Sequence, residues 1–285
     1  MATPVPVRHL PDAWIVRTPK RSFVEGKARA AATTGWLSAL WILTRHEFRA
    51  RYRGQALGVI WSLLNPVIMM GILSVIFTHV FPSGKKDYPI FVLIGLVVWQ
   101  FVGSALNAGT TAFVAHADII KRTIFPRQLL PLAVMLSFGI NFLIESSVLL
   151  IFIPVFPSSF TLSWTLLLVP VILAFLVLLL AALVLATSVL HVVYRDVAYL
   201  VQTALLIFYW LTPIIYPVDR VPEPYQTVLK CNPLTGIMNG LRGCVMNGTP
   251  PSLLQWASIA VPSLVAFGLG WLIFKHYERM VLDHV

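Results

Sequence analysis

LLLVPVILAFLVLLLAALVLATSVL, residues 166–190, runs for 25 positions without one charged side chain. An α-helix needs about 20 apolar residues to cross about 30 Å of hydrocarbon, so this stretch is long enough to span a bilayer. The remainder has the same character. Of 285 residues, 58% are hydrophobic and 11% charged, against roughly 25% charged in an ordinary soluble domain. A soluble fold must still cover its surface with polar atoms, and this composition cannot do so. Alternating ten-residue strand patterns are missing, which argues against a membrane β-barrel. The chain reads as an all-α integral membrane protein.

Further apolar runs place spans at about 57–81, 90–114, 129–156, 166–190, 197–217 and 256–275. The segments between them alternate in charge. Of 21 Lys and Arg, 16 fall in 1–56, 115–128, 191–196 and 275–285. The positive-inside rule assigns those segments, and both termini, to the cytoplasm. The net charge of +10 is thereby accounted for by topology and anionic headgroups rather than by nucleic acid. Residues 1–35 carry no apolar block of signal-peptide type and read as an irregular cytoplasmic arm. Cys231 and Cys244 lie in the long outer segment, where a disulfide is chemically permitted. Two buried free thiols are the alternative.

Residues 36–55, WLSALWILTRHEFRARYRGQ, are too charged to span. Trp36, Leu37, Leu40, Trp41, Phe48 and Tyr52 recur at helical spacing, with His46, Glu47, Arg49 and Arg53 elsewhere. That is the pattern of a helix lying in the membrane surface. It is either a simple anchor or also a dock for a cytoplasmic partner. The stretch 115–131 is longer than a turn needs and leaves room for a short transverse helix bearing Asp118, Lys121 and Arg122. In the outer segment, PLTGIMNGLRGCVM (233–246) is too short to span and too apolar to float, with Gly236, Gly240 and Gly243 spaced for close packing. A re-entrant pair of helices capping an opening fits it.

The spans differ in polarity. Tyr199, Gln202, Tyr209, Pro213 and Tyr216 share one face of the fifth; Gln100, Gly103, Asn107 and Thr110 one face of the second; Gly58, Ser62 and Asn65 one face of the first. Polar groups toward lipid are costly, so such stripes face protein or an aqueous route. The fourth span, nearly featureless, suits a lipid-facing position. Glu145 sits deep in the third span on a face with Ser137 and Asn141, where an ionised carboxylate costs about 2.5–3.5 kcal/mol on the insertion scale. It is either protonated and bonded to a neighbouring helix, or part of a transport path. No phosphate-binding loop G-x-x-x-x-G-K-[ST] and no metal-ligand spacing is found. A pump of this shape needs an energy-converting partner.

Several stretches together resemble a known family. Arg51-Tyr52, Leu57-Gly58, Trp61 and Asn65-Pro66 resemble the start of the first span in the membrane (permease) subunits of type-2 ABC exporters. Within that family the likeness is greatest to the polysaccharide-export branch, which moves O antigen, capsule or teichoic acid. Tyr194-Arg195-Asp196, Pro213-Ile214-Ile215-Tyr216-Pro217 and Asn232-Pro233 extend the likeness in order. It covers residues from about 36 to the C-terminus.

The resemblance implies a homodimer in the inner (cytoplasmic) membrane, joined to two ATP-binding cassette subunits that carry ATP and Mg. This chain then has no catalytic site of its own. Residues 36–55 and 115–127 contact the ATPase subunits, with His46, Glu47, Arg49, Arg53, Asp118, Lys121 and Arg122 as the candidate contacts and Arg51 beside them. Spans one, two and five line the route, with Trp61, Asn65, Trp99, Gln100, Asn107, Gln202, Tyr209 and Tyr216 as candidate path residues. The helices within 232–248 act as an outer gate, Gly58 allows close packing, and Asn65-Pro66 loosens the first span. The cargo expected is a lipid-linked glycan. The alternatives are an ABC permease for a drug or lipid, and a membrane transferase using Glu145 as a base.

Overall fold

A computed structural model of the chain describes residues 35–54, 58–80, 87–122, 126–152, 156 and 160–281. Apart from Gly35, the N-terminal arm lies outside the described residues, as do Leu57 and the side chains of Lys121 and Arg122. All regular structure among the described residues is helical. Helix α1 runs Trp36–Tyr52. Gly54 (φ 83°) and Gly58 (φ 46°), between this helix and the next, both lie in the positive-φ region that favours glycine. Among the described residues no atom lies within 4 Å of an added Cβ at Gly58, so the close packing expected of it is not made there.

Helix α2, Val59–Val75, continues as a π-helical turn Ile76–Val80. Helix α3 is Tyr88–Thr110, with Pro89 in its first turn, where a missing N–H costs nothing. Two short helices follow, α4 Ala112–Ala115 and α5 Ala117–Arg122, the second within the stretch where a short helix is expected. Then come α6, Leu129–Phe152, and α7, Val169–Val193, the latter preceded by a 3-10 turn Trp164–Leu168. Helix α8 is Val197–Leu211, α9 Glu223–Cys231 and α10 Pro233–Arg242, continued by a π turn Gly243–Asn247. Helix α11, Leu253–Tyr277, is capped by Ser252, whose hydroxyl accepts from the Gln255 N–H at 3.3 Å.

Among the described residues, five stretches are long and apolar enough to cross a membrane: Val59–Val80, Tyr88–Thr110, Leu129–Phe152, Trp164–Val193 and Leu253–Met280. The fifth expected span, 197–217, is helical only to Leu211. At 1.5 Å per residue, 15 residues reach roughly 22 Å, short of the hydrocarbon thickness.

The packing overturns one expectation. Helix α7, the most apolar, is not a peripheral lipid-facing helix; it packs against α11, α3, α6 and α10. Ile172, Leu176, Leu180, Val184, Leu185, Ser188 and Val189 are buried on it. Glycine sets the distances: a Cβ on Gly109 of α3 would meet Val184 Cγ1 at 2.6 Å, and one on Gly270 of α11 would strike the Ala182 carbonyl. Lipid tails are as apolar as leucine, so composition alone does not distinguish a helix facing lipid from one facing helices.

Candidate functional site

The site is built where α8 stops. Thr212 leaves the helix with φ −111° and ψ 133°, and Pro213 and Pro217 prevent its resumption. The carbonyls released here must find other donors, since a buried unpaired polar group costs about 1–3 kcal/mol. Arg242, at the end of α10 and 4% exposed, supplies them. Its Nη1 donates to the Pro213 carbonyl at 2.6 Å and its Nη2 to Ile214 at 2.8 Å. Nε and Nη2 both donate to the Phe91 carbonyl, at 3.2 and 3.0 Å, and the guanidinium lies 3.5 Å from the Phe91 ring centroid. One side chain thus joins the broken end of α8, the start of α3 and the helix α10.

Other donors complete the clasp. Tyr88 Oη donates to the Ile215 carbonyl at 2.8 Å. Asn232 Nδ2 donates to Thr212 Oγ1 at 2.9 Å, and Tyr216 Oη to the Trp210 carbonyl at 2.6 Å. Gly95 makes room: an added Cβ would lie 2.6 Å from Arg242 Nη2 and 2.9 Å from the Ile214 carbonyl oxygen. Sequence reasoning missed both Arg242 and Gly95. The available signal was an arginine placed inside the otherwise apolar PLTGIMNGLRGCVM.

Beside this clasp lies an aromatic cluster. The rings of Trp99 and Tyr209 meet edge-on with centroids 5.6 Å apart, and Tyr209 meets Trp210 at 5.4 Å. Of the candidate path residues, the structure therefore joins Trp99, Tyr209 and, through Trp210, Tyr216. Gln100 is half-buried, while Asn107 and Gln202 are exposed. Trp61, 61% exposed, and Asn65 lie on α2. Helix α3 packs against both α2 and α8 and separates them within the chain. Thr110 does not line a route: it is buried, donates to the Leu106 carbonyl at 2.7 Å, and lies 2.8 Å from Thr187 Oγ1, a hydroxyl contact between α3 and α7.

At the other end of α3, α1 is fastened to the bundle. Its buried stripe is Ala39 and Leu43, packed on Leu129 and Ala133, while Trp36, Leu37 and Trp41 stay exposed. The face that packs is thus not the tryptophan face. Glu47 is engaged within the chain: its Oε1 lies 3.1 Å from His116 Nε2 and 3.6 Å from His46 Nδ1. Burial pushes its carboxyl up, but the hydrogen bonds and charges of His116 and His46 prevail and bring it down to about 2. His116 Nδ1 lies 3.0 Å from the Ala112 carbonyl. Both ring nitrogens face acceptors, which only the imidazolium can satisfy. Burial lowers its pKa, and the Glu47 hydrogen bond and charge, with the Ala112 bond, outweigh that to raise it. Arg49, Arg53 and Asp118 are exposed.

Arg51 turns inward instead. Its Nη2 donates to Ser137 Oγ at 2.6 Å and its guanidinium lies 3.3 Å from the Phe138 ring centroid. Tyr52 Oη donates to Asn141 Oδ1, and Asn141 Nδ2 donates to Glu145 Oε1 at 2.6 Å. The stripe Ser137, Asn141, Glu145 therefore faces the end of α1. Glu145, 1% exposed, is bonded on its own helix and reaches a neighbouring one through Asn141.

The glycines of α10 pack as their spacing predicts. An added Cβ on Gly236 would lie 2.8 Å from Ser258 Oγ, and one on Gly240 3.2 Å from Ile172 Cδ1. Both cysteines are free thiols, Cys231 exposed and Cys244 buried, so no disulfide joins them.

Comparison with known proteins agrees with this architecture. Residues 38–246 match the model of the ABC-2 type transporter family. The O-antigen export system permease protein RfbA of Klebsiella pneumoniae is 31% identical over 208 residues, 73% of this chain and 80% of the relative. RfbA of Myxococcus xanthus is 26% identical over 235 residues, covering 82% and 90%. The polysialic acid transport protein KpsM of Escherichia coli is 23% identical over 251 residues, covering 83% and 92%. A match over most of the chain, together with five helices long and apolar enough to cross a membrane, shows that the protein is a multi-pass membrane permease of the ABC-2 type transporter family.

Proposed function

We propose that this chain is the transmembrane subunit of an exporter that carries a lipid-linked polysaccharide from the cytoplasm to the outer face of the inner membrane. Two copies pair with two ATP-binding cassette subunits, which hold ATP and Mg and supply the energy. The names of the relatives, O-antigen and polysialic acid transport, support a glycan over a drug or lipid. Both termini lie in the cytoplasm, and α8 with the unwound segment to Pro217 makes a sixth crossing. Helix α1 and the α4–α5 pair take the thrust of the ATPase, while α9 and α10 close the outer end. Glu145, bonded to Asn141, serves helix packing in this reading and not as the base of a transferase.

The observation that carries the reading is the aromatic cluster of Trp99, Tyr209 and Trp210 beside a backbone held open by Arg242. A pyranose presents an apolar C–H face that stacks on such rings, while the tyrosine hydroxyls bond sugar hydroxyls. Irregular backbone at membrane depth persists only against protein or a water-filled cavity. Deleting the chain should strip the surface glycan and accumulate its lipid-linked precursor inside; an unchanged surface glycan overturns the reading. Tyr209→Ala with Tyr216→Ala should lower export while the complex still assembles.

A further inference from the structure

Between α9, α10 and the start of α11 lies a cavity of about 580 Å³ that none of the path residues lines. Its size is that of a small-molecule site, which typically spans about 300–1,000 Å³. Its walls hold Thr235 and Asn239 from α10 and Gln255 and Ser258 from α11, with Asp219 and Lys230 on the outer segment. Thr235 is 2% exposed and its hydroxyl has no partner among the described residues, unusual when about nine in ten buried polar groups are bonded. Gln255 commits only its Nε2, at 3.4 Å to the Gly236 carbonyl.

From this lining we infer that the cavity is a binding site for one or a few neutral sugar residues. The inference rests on the orientation and cargo proposed above. Amides and hydroxyls offer donors and acceptors in alternation, which pyranose hydroxyls, each donor and acceptor, can match. Of the three charged groups in the lining, Asp219 offsets Lys230, and the Arg242 guanidinium spends four of its five N–H groups on the carbonyls of Phe91, Pro213 and Ile214, so no cluster of uncommitted donors selects an anion. Met246 and Leu254 supply apolar surface for sugar C–H groups. The site lies where the glycan leaves the outer end, and it binds weakly: a station on a conduit must release what it captures.

Cys231 lines the same cavity and is exposed, whereas Cys244 is buried, so a native thiol reports occupancy. The probe is a membrane-impermeant maleimide applied to intact cells that carry the full exporter, with assembly of the glycan repeat unit switched on or off. With glycan supplied, Cys231 labelling should slow by about twofold or more, the factor 1 + [L]/Kd for ligand at or above its Kd. Asn239→Ala should abolish the difference; Gln255→Leu serves as a second variant that keeps the volume. Equal labelling in cells that do export glycan overturns the site while leaving the proposed function standing. Protection that persists in both variants also overturns it, since the shielding then arises elsewhere. Cells whose surface glycan does not depend on this chain overturn the proposed function and the site with it.

Discussion

Arg242 is a buried guanidinium with no ion pair among the described residues, and its charge is met by the carbonyls of Phe91, Pro213 and Ile214 and by the Phe91 ring. Four of its five N–H groups serve three carbonyls at fixed angles, which a lysine ammonium cannot reproduce. Arg242→Lys should therefore destabilise by about 2–3 kcal/mol, on the scale of lost charged hydrogen bonds, measured as a lowered Tm in detergent. A lysine variant as stable as wild type would show that charge alone suffices. Gly95→Ala should cost about 1–3 kcal/mol as an overpacking change, because the Ile214 carbonyl it meets is backbone and cannot swing aside. Neither role was legible beforehand: residues 91, 95, 213, 214 and 242 are scattered along the chain, and no local pattern reveals a shared carbonyl cluster. Tyr209 and Tyr216 were legible, since a helical stripe needs only local spacing.

Helix α1 is joined to the segment after α3 by Glu47 and His116, and that joint is sensitive to pH. The His116 pKa is raised above its ordinary 6.5, so its contribution is full below 6.5 and is lost as pH rises through the raised value. The Glu47 pKa is lowered from 4.5 to about 2, so its contribution is present above 4.5 and lost as pH falls toward 2. The joint should be strongest between 4.5 and 6.5. Amide exchange in α1 should accelerate as pH rises above 6.5, beyond the intrinsic chemical dependence, by about 1 kcal/mol of protection for this partly exposed pair. Glu47→Gln should remove that excess; an unchanged profile would place the tether in the Leu43 and Arg51 contacts instead. The amphipathic pattern of α1 announced a helix, but two apolar stripes compete on it. Only the position of Leu129 and Ala133 selects Ala39 and Leu43 as the packing face.

The apolar surface exposed on the single chain is spread over several helices, α11 among them, and includes the two that the proposed assembly would pair. Ile60, Trp61, Leu64 and Ile68 on α2, and Leu206, Ile207 and Trp210 on α8, are all exposed. In the proposed assembly some of this area faces lipid and the pairing of two copies covers the rest. Co-purification should yield two copies of this chain with two ATP-binding subunits by native mass spectrometry; a stable one-to-one complex would count against the dimer. Arg49→Glu with Arg53→Glu should lower recovery of the ATP-binding subunit several-fold. Both positions are exposed, so Tm should move by no more than about 0.5 kcal/mol equivalent. Unchanged recovery would remove these arginines from the interface.

Apolar run length, charge asymmetry and the ordered motifs were enough to specify a helical multi-pass permease of the ABC-2 type, because crossing hydrocarbon imposes length and composition on each segment separately. They could not rank the helices by burial, since a leucine contacts lipid and protein on nearly equal terms. The folded chain settled that by glycine contacts, placing α7 against α3 and α11. It also ended α8 at Leu211 and gave the carbonyls released beyond it to Arg242. Hydrogen-bond partners distant in sequence are found only once the chain is folded, because backbone carbonyls carry no residue identity by which to recognise them.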